Sequence, residues 1–171
     1  MADLVLKGKA IKLGDNISTD DIIPGRFAHL RSNLPELAKH VFEDALPAFT
    51  SRTNPGDFVV AGKNFGLGSS REHAPVVIKM AGISAILAKS VARIFFRNAI
   101  NQGMAVLLCD SDKIGDGDEL EINLTDSVVT DLTSGAKLTC GTVPPLMSAI
   151  LKEGGLIPYI QEHKDFVVDE Y

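Results

Sequence analysis

Two cysteines in 171 residues leave this chain without a disulfide framework. Nor can Cys109 and Cys140 alone hold a cubane iron–sulfur cluster, which takes three or four thiolates, so any such cluster has to come from a partner. Cys109 closes an apolar run and reads as a buried core thiol. Long apolar stretches are absent as well. Runs such as 105–109 fall far short of the roughly 20 residues of a membrane span. The first residues lack the basic start and apolar stretch of a signal peptide, so the expected location is cytoplasmic, without membrane attachment. No block of Lys and Arg stands out and the formal net charge is −5, which leaves no electrostatic footprint for nucleic acid. Acidity does not exclude an anionic ligand, because a few local arginines suffice to hold one.

What is present is enough for a core: 45% of residues are hydrophobic and 23% charged. That balance and the length predict one folded domain over 1–171. Residues 57–109 read strand–loop–helix–strand–helix–strand, with apolar runs at 58–62, 84–88 and 105–109, and helices over 75–81 and 91–101. This alternation predicts parallel pairing with helical crossovers, hence an α/β fold. Ser90 is placed to cap the second helix. One or two short strands are expected around Gly8 within 4–13, a loop over 14–25, and a helix over 35–46 from its apolar stripe. After 110 the pattern changes to short strands at 119–124, 127–132 and 137–140, split by turn residues. A helix is expected over 145–153, and a frayed tail carries Glu162, Asp165, Asp169 and Glu170.

The stretch with the most chemistry is Gly62-Lys-Asn-Phe-Gly66-Leu-Gly68-Ser69-Ser70-Arg71-Glu72-His73. A strand runs into a glycine-rich loop and then a helix start, where open α/β sheets gather ligands. Backbone N–H groups, hydroxyls and a guanidinium there suit a carboxylate, with Arg71 bidentate. Ser69-x-x-Glu72 also fits a capping box, in which Ser69 and Glu72 merely close the helix start; Pro75 argues for a start nearer Ala74. The dinucleotide and phosphate-loop fingerprints are incomplete. A Ser69–His73 hydrolase lacks an orienting acid that the sequence can locate. A non-catalytic small-molecule-binding domain stays open on these residues. So does a plain solvated turn for Asp15 to Asp21, whose acids lack calcium-loop spacing. Arg31 sits in an irregular loop.

Taken together these segments resemble a known family. Gly8 to Pro24, the Arg31 loop, Phe65-Gly-x-Gly-Ser-Ser-Arg-Glu-His-Ala-Pro75, Ala88-Lys-Ser-Val-Ala-Arg-Ile-Phe-Phe-Arg-Asn98 and Gly154-Gly-Leu-Ile-Pro-Tyr159 come in the order found in small subunits of the isopropylmalate dehydratase and homoaconitase group. The resemblance covers nearly the whole chain. It implies a three-layer β/β/α swivelling domain like the fourth domain of aconitase. It also implies a large partner subunit carrying a [4Fe-4S] cluster, no cofactor or metal on this chain alone, and a small di- or tricarboxylic acid substrate. By the family pattern Ser69 is the catalytic base, and Ser70 and Arg71 bind substrate carboxylate. Gly68 supplies a supporting N–H and Asp20 supports the site. His29-Leu30-Arg31-Ser32 matches the substrate-selecting loop, where an Arg favours a third carboxylate, as in homoaconitase-type proteins, and an apolar pair suits isopropylmalate. The His-Ala-Pro stretch at 73–75 and the Gly-Gly-Leu-Ile-Pro-Tyr stretch at 154–159 are nearer the isopropylmalate type. Leucine biosynthesis is thus the leading expectation, and a homoaconitase or other alkylmalate dehydratase subunit the runner-up. Leu67 departs from the Cys that many close relatives carry there.

Overall fold

The computed structural model describes residues 4–69 and 71–164. Seven strands form one sheet in the order β4-β3-β2-β1-β5-β6-β7. β1 (Val5–Lys12), β2 (Phe58–Ala61), β3 (Ala85–Ala88) and β4 (Ala105–Leu108) are mutually parallel. β5 (Glu119–Asn123), β6 (Val128–Asp131) and β7 (Lys137–Thr139) continue from β1 as an antiparallel meander.

The side-chain alternation of a strand explains the layers. Val59, Ala61, Ile86, Ala88 and Val106 belong to a core shared with helices α2 (Leu34–Ala38), α4 (His73–Met80) and α5 (Arg93–Asn101). Their neighbours Phe58, Val60, Ala85, Leu87 and Leu107 face the other way and share a second core with Leu120, Ile122, Val129 and Leu138 of the meander. A sheet whose two halves bury residues in a common core has curled over itself. The result is the expected β/β/α sandwich, with the parallel strands in the middle layer. Burial on both faces is why those strands read as unbroken apolar runs, whereas β5 is buried at alternate positions only.

Three expectations are corrected. The apolar stripe over 35–46 does not make one helix: α2 stops at Ala38 and turns follow. Phe42 is the reason. It adopts φ +56°, donates its N–H to the Ile22 carbonyl at 3.1 Å, and is fully buried with its ring 4.8 Å from that of Phe49. Burial of the ring overrides the helical pattern. Ser90 does not cap α5; its hydroxyl accepts from the Asn64 N–H at 2.8 Å, and α5 begins after Ala92. The tail is helical through Glu162: α7 (Leu156–His163) follows α6 (Pro145–Lys152), with Tyr159 buried against Ile100 and Ile150. Asp165, Asp169 and Glu170 lie outside the described residues. A one-turn helix, α1 (Thr19–Ile22), interrupts the segment read as loop, and a second, α3 (Phe49–Arg52), precedes the 54–57 turn. Around Gly8 there is a single unbroken strand.

Candidate active site

The loops leaving the carboxyl ends of β1, β2 and β3 keep pairing after the strands end. Asn16 donates to Lys63 O at 2.8 Å, Gly66 to Ile17 O at 2.7 Å, and Thr19 to Leu67 O at 2.8 Å. On the other side Phe65 donates to Ser90 O and Ala92 to Phe65 O, at 3.0 and 2.9 Å. The 62–69 loop is thus held as a middle strand between two others. Gly66 is required there: at φ +74°, a Cβ would sit 2.3 Å from the ring of Phe95. The contribution of Leu67 to this pairing is its backbone, so the departure from Cys leaves the loop's hydrogen bonds unaffected.

This pairing brings together residues fifty positions apart. The hydroxyls of Thr19 and Ser69 lie 3.4 Å from one another. Gly68, at φ +106°, turns the chain between them, and a Cβ there would stand 3.1 Å from Thr19 Oγ1. Arg71 folds back across α1, donating from Nη1 to Ile23 O at 2.8 Å and pairing through Nη2 with Asp20 Oδ1 at 2.5 Å. The Arg71 side chain is 20% exposed and that of Asp20 70%, so the ion pair lies at the rim.

α1 itself is closed by a capping box. Ser18 Oγ accepts from the Asp21 N–H, and the Asp21 carboxylate accepts from the Ser18 N–H at 2.8 Å. The alternative reading of Ser69 and Glu72 as a capping box does not hold. Glu72 is the N-cap of α4 and makes no side-chain cap, and the helix starts at His73, near the position that Pro75 argued for. Of the acids of the 15–21 loop, Asp15 accepts from Lys63 N at 2.7 Å, Asp20 pairs with Arg71 and Asp21 caps. Each acid therefore has a separate structural task.

Ser69 and Arg71 open into a cavity of about 330 Å³ whose far wall is the first turns of α5: Arg93, Ile94, Phe95 and Asn98. Thr19, Gly66 and Gly68 complete the near wall. Ser69, Gly68 and Arg71 are therefore gathered as expected, with Asp20 beside them. Ser70 lies outside the described residues. Arg31 is not in the cavity lining. It is exposed on the 3-10 segment Gly25–Ser32. That segment is anchored by Arg26, which pairs with Asp44 at 2.7 Å and holds its carboxyl below the usual range, and by Phe27, stacked on His40 at 3.9 Å. Thr19, Arg93 and Asn98 were not singled out by their chemistry in the sequence. The one signal was Ala-Arg-Ile-Phe-Phe-Arg-Asn, read there as a family stretch only.

The site's partnering disfavours a hydrolase. The hydroxyl of Ser69 faces Thr19, and His73, as the first residue of α4, makes no hydrogen bond with it. Nor do the described residues suit an iron–sulfur cluster. They contain no group of three or more His, Cys, Asp or Glu placed to hold a metal ion. Cys109 and Cys140 lie together at the second core, where the neighbouring Cys140 and burial push the Cys109 thiol up.

The aconitase C-terminal domain family matches residues 33–111. A 3-isopropylmalate dehydratase small subunit 2 of Archaeoglobus fulgidus is 57% identical over 161 residues, covering 94% of this chain and 98% of that protein. A small subunit 1 of the same enzyme from Thermotoga maritima is 54% identical over 163 residues, covering 95% and 98%. The chain belongs to the 3-isopropylmalate dehydratase small-subunit family. A solved 3-isopropylmalate dehydratase structure from Methanocaldococcus jannaschii shares the fold at a TM-score of 0.89 and 42% identity, over 94% of this chain and 96% of that one. The family is a branch of the aconitase superfamily, and its members are subunits of a hydro-lyase. Membership implies an iron–sulfur cluster in the assembled enzyme and a large subunit as partner. Among the described residues no helix is long and apolar enough to cross a membrane.

Proposed function

We propose that this chain, acting over 1–171 as one swivelling unit, is the small subunit of a cytoplasmic hydro-lyase that interconverts 2- and 3-isopropylmalate, a step of leucine biosynthesis. The observation that carries the reading is the joining of Ser69 and Arg71 in one cavity at the carboxyl ends of the parallel strands. The [4Fe-4S] cluster belongs, in this reading, to the large subunit, since the residues described here do not suit it.

The reaction needs a proton removed from a carbon next to a carboxylate. Ser69 Oγ is the proposed base. A serine hydroxyl is far too weakly acidic to act so unaided, and its alkoxide requires donors and positive charge around it. Thr19 Oγ1 at 3.4 Å is placed to be one such donor, and by the family pattern the Gly68 N–H is another. Arg71 and Ser70 hold the substrate carboxylate, and Asp20 orients the guanidinium. Closure of the two subunits excludes water from the site.

The test is to combine the chain with its large subunit and follow isopropylmalate, homocitrate and citramalate side by side. Turnover of isopropylmalate supports the reading; its absence with full assembly rejects it. Citramalate is included because an isopropylmalate/citramalate isomerase small subunit of Methanocaldococcus jannaschii is 46% identical over 160 residues, covering 92% of this chain and 95% of that protein. Arg31 is the proposed selector. Preference for homocitrate would make it the ligand of a third carboxylate. Ser69→Ala should lower kcat by about 10²-fold or more with assembly intact, the size expected for a lost general base. A near-normal rate would remove Ser69 from that role.

A further inference from the structure

Two guanidinium groups line the cavity, and the chain engages only one of them. Arg71 is tied to Ile23 O and Asp20. Arg93 is exposed and, among the described residues, makes no hydrogen bond or ion pair. Its position is unfavourable for the helix that carries it. It is the first residue of α5, where the helix dipole is positive and an acid would be stabilising. No acid occupies that first turn, and Ala92 offers no side-chain cap. The far wall of the cavity therefore carries a positive charge, that of Arg93, with no partner among the described residues. Asn98 lines the same wall and adds an amide donor.

We propose that Arg93 is a second carboxylate-binding residue of this half-site, holding the substrate carboxylate that Arg71 does not. The inference rests on the dicarboxylate reading above. A dicarboxylate brings two negative charges into a cavity of about 330 Å³, near the small end of ordinary ligand pockets. Arg71 meets one of them. Arg93, free and on the facing wall, meets the other with a charge-assisted bond.

The experiment uses the holoenzyme, reconstituted at large-subunit concentrations that saturate assembly, with Arg93→Gln and Arg93→Lys. Arg93 is exposed and without partners, so both variants should fold, and thermal melting checks this. Arg93→Gln should raise KM for isopropylmalate by roughly tenfold or more, the range for a lost hydrogen bond to a charged group. Arg93→Lys should recover part of the loss, since it keeps the charge without the planar fork. Competitive inhibition by succinate and butyrate gives a readout specific to the second carboxylate. The advantage of succinate over butyrate should shrink in Arg93→Gln. An unchanged KM and an unchanged succinate-to-butyrate ratio would overturn the proposal. So would a defect confined to large-subunit affinity, which would make Arg93 a docking residue. A wild-type holoenzyme that assembles but does not turn over isopropylmalate would instead reject the functional reading, and this inference with it.

Discussion

Arg71 does three things at once, and this decides how it should respond to change. Its guanidinium bonds the Ile23 carbonyl, pairs with Asp20, and borders the cavity beside Ser69. A lysine at this position keeps one charge but reaches one partner at a time. Arg71→Lys is therefore expected to raise KM by about tenfold, as expected for one charge-assisted bond lost, with a smaller effect on melting because the Asp20 partner is largely exposed. Unchanged steady-state kinetics would reduce Arg71 to a strap between α1 and the 62–69 loop. Asp20→Asn separates the two tasks. It leaves the bond to Ile23 O in place and removes only the ion pair, so its KM change should be smaller than that of Arg71→Lys. Residues of this kind were legible in the sequence because Ser, Arg and Gly crowd into one short loop. Thr19 was not, because its role depends on pairing between loops fifty residues apart, which no local pattern encodes. Arg93 was equally hidden, since an Arg at a helix start ordinarily signals nothing.

The sheet and its crossovers could be read from apolar runs, but the elements that depend on tertiary burial could not. The stripe over 35–46 is a true apolar pattern; it serves an irregular turn because Phe42 fills the space between Phe49 and Phe65. The helix α7 was missed for the opposite reason: Gly154 and Gly155 read as a terminus, whereas both act as a bend that lets Tyr159 return to the core. Gly8 shows how tightly one element constrains another. It lies mid-strand in β1, where a side chain would normally be welcome, yet a Cβ there would stand 2.2 Å from the Gly56 carbonyl oxygen. The turn over 54–57 is fixed in that place by Asp57, buried and accepting from the N–H groups of Lys9 at 3.0 Å and Asn54 at 2.8 Å. Backbone on both sides leaves nothing flexible to yield. Gly8→Ala should thus destabilise the fold by about 2–3 kcal/mol, the upper part of the usual range for overpacking, read as a lower denaturant midpoint. A midpoint within error of the wild type would mean that the β1 crossing is looser than its geometry indicates.

At the scale of the whole molecule, curling decides where this chain ends and its partner must begin. The two edges of the sheet, β4 and β7, are brought together where Gly141 donates to Leu108 O at 2.8 Å, beside the Cys109–Cys140 pair. Both thiols are thereby committed to the seam: Cys140 is 5% exposed, and Cys109 packs against the same core. The cavity lies with the helical layer, lined by arginines, hydroxyls and an amide, a donor set that attracts carboxylates rather than a metal cluster. Such a division predicts a chain purified by itself with less than about one-tenth of an iron atom per molecule, even after anaerobic incubation with iron and sulfide, a negligible fraction of the stoichiometry that a Cys-ligated cluster requires. The assembled enzyme under the same treatment should take up a full cluster, and Cys109→Ser and Cys140→Ser in this chain should leave that uptake unchanged. Iron bound stoichiometrically to the isolated chain, or a cluster lost from the holoenzyme through either cysteine variant, would place metal chemistry on this subunit. Absence of both is the outcome expected of the proposed role, in which this chain holds the acid and moves its proton against a reactive centre supplied by the large subunit.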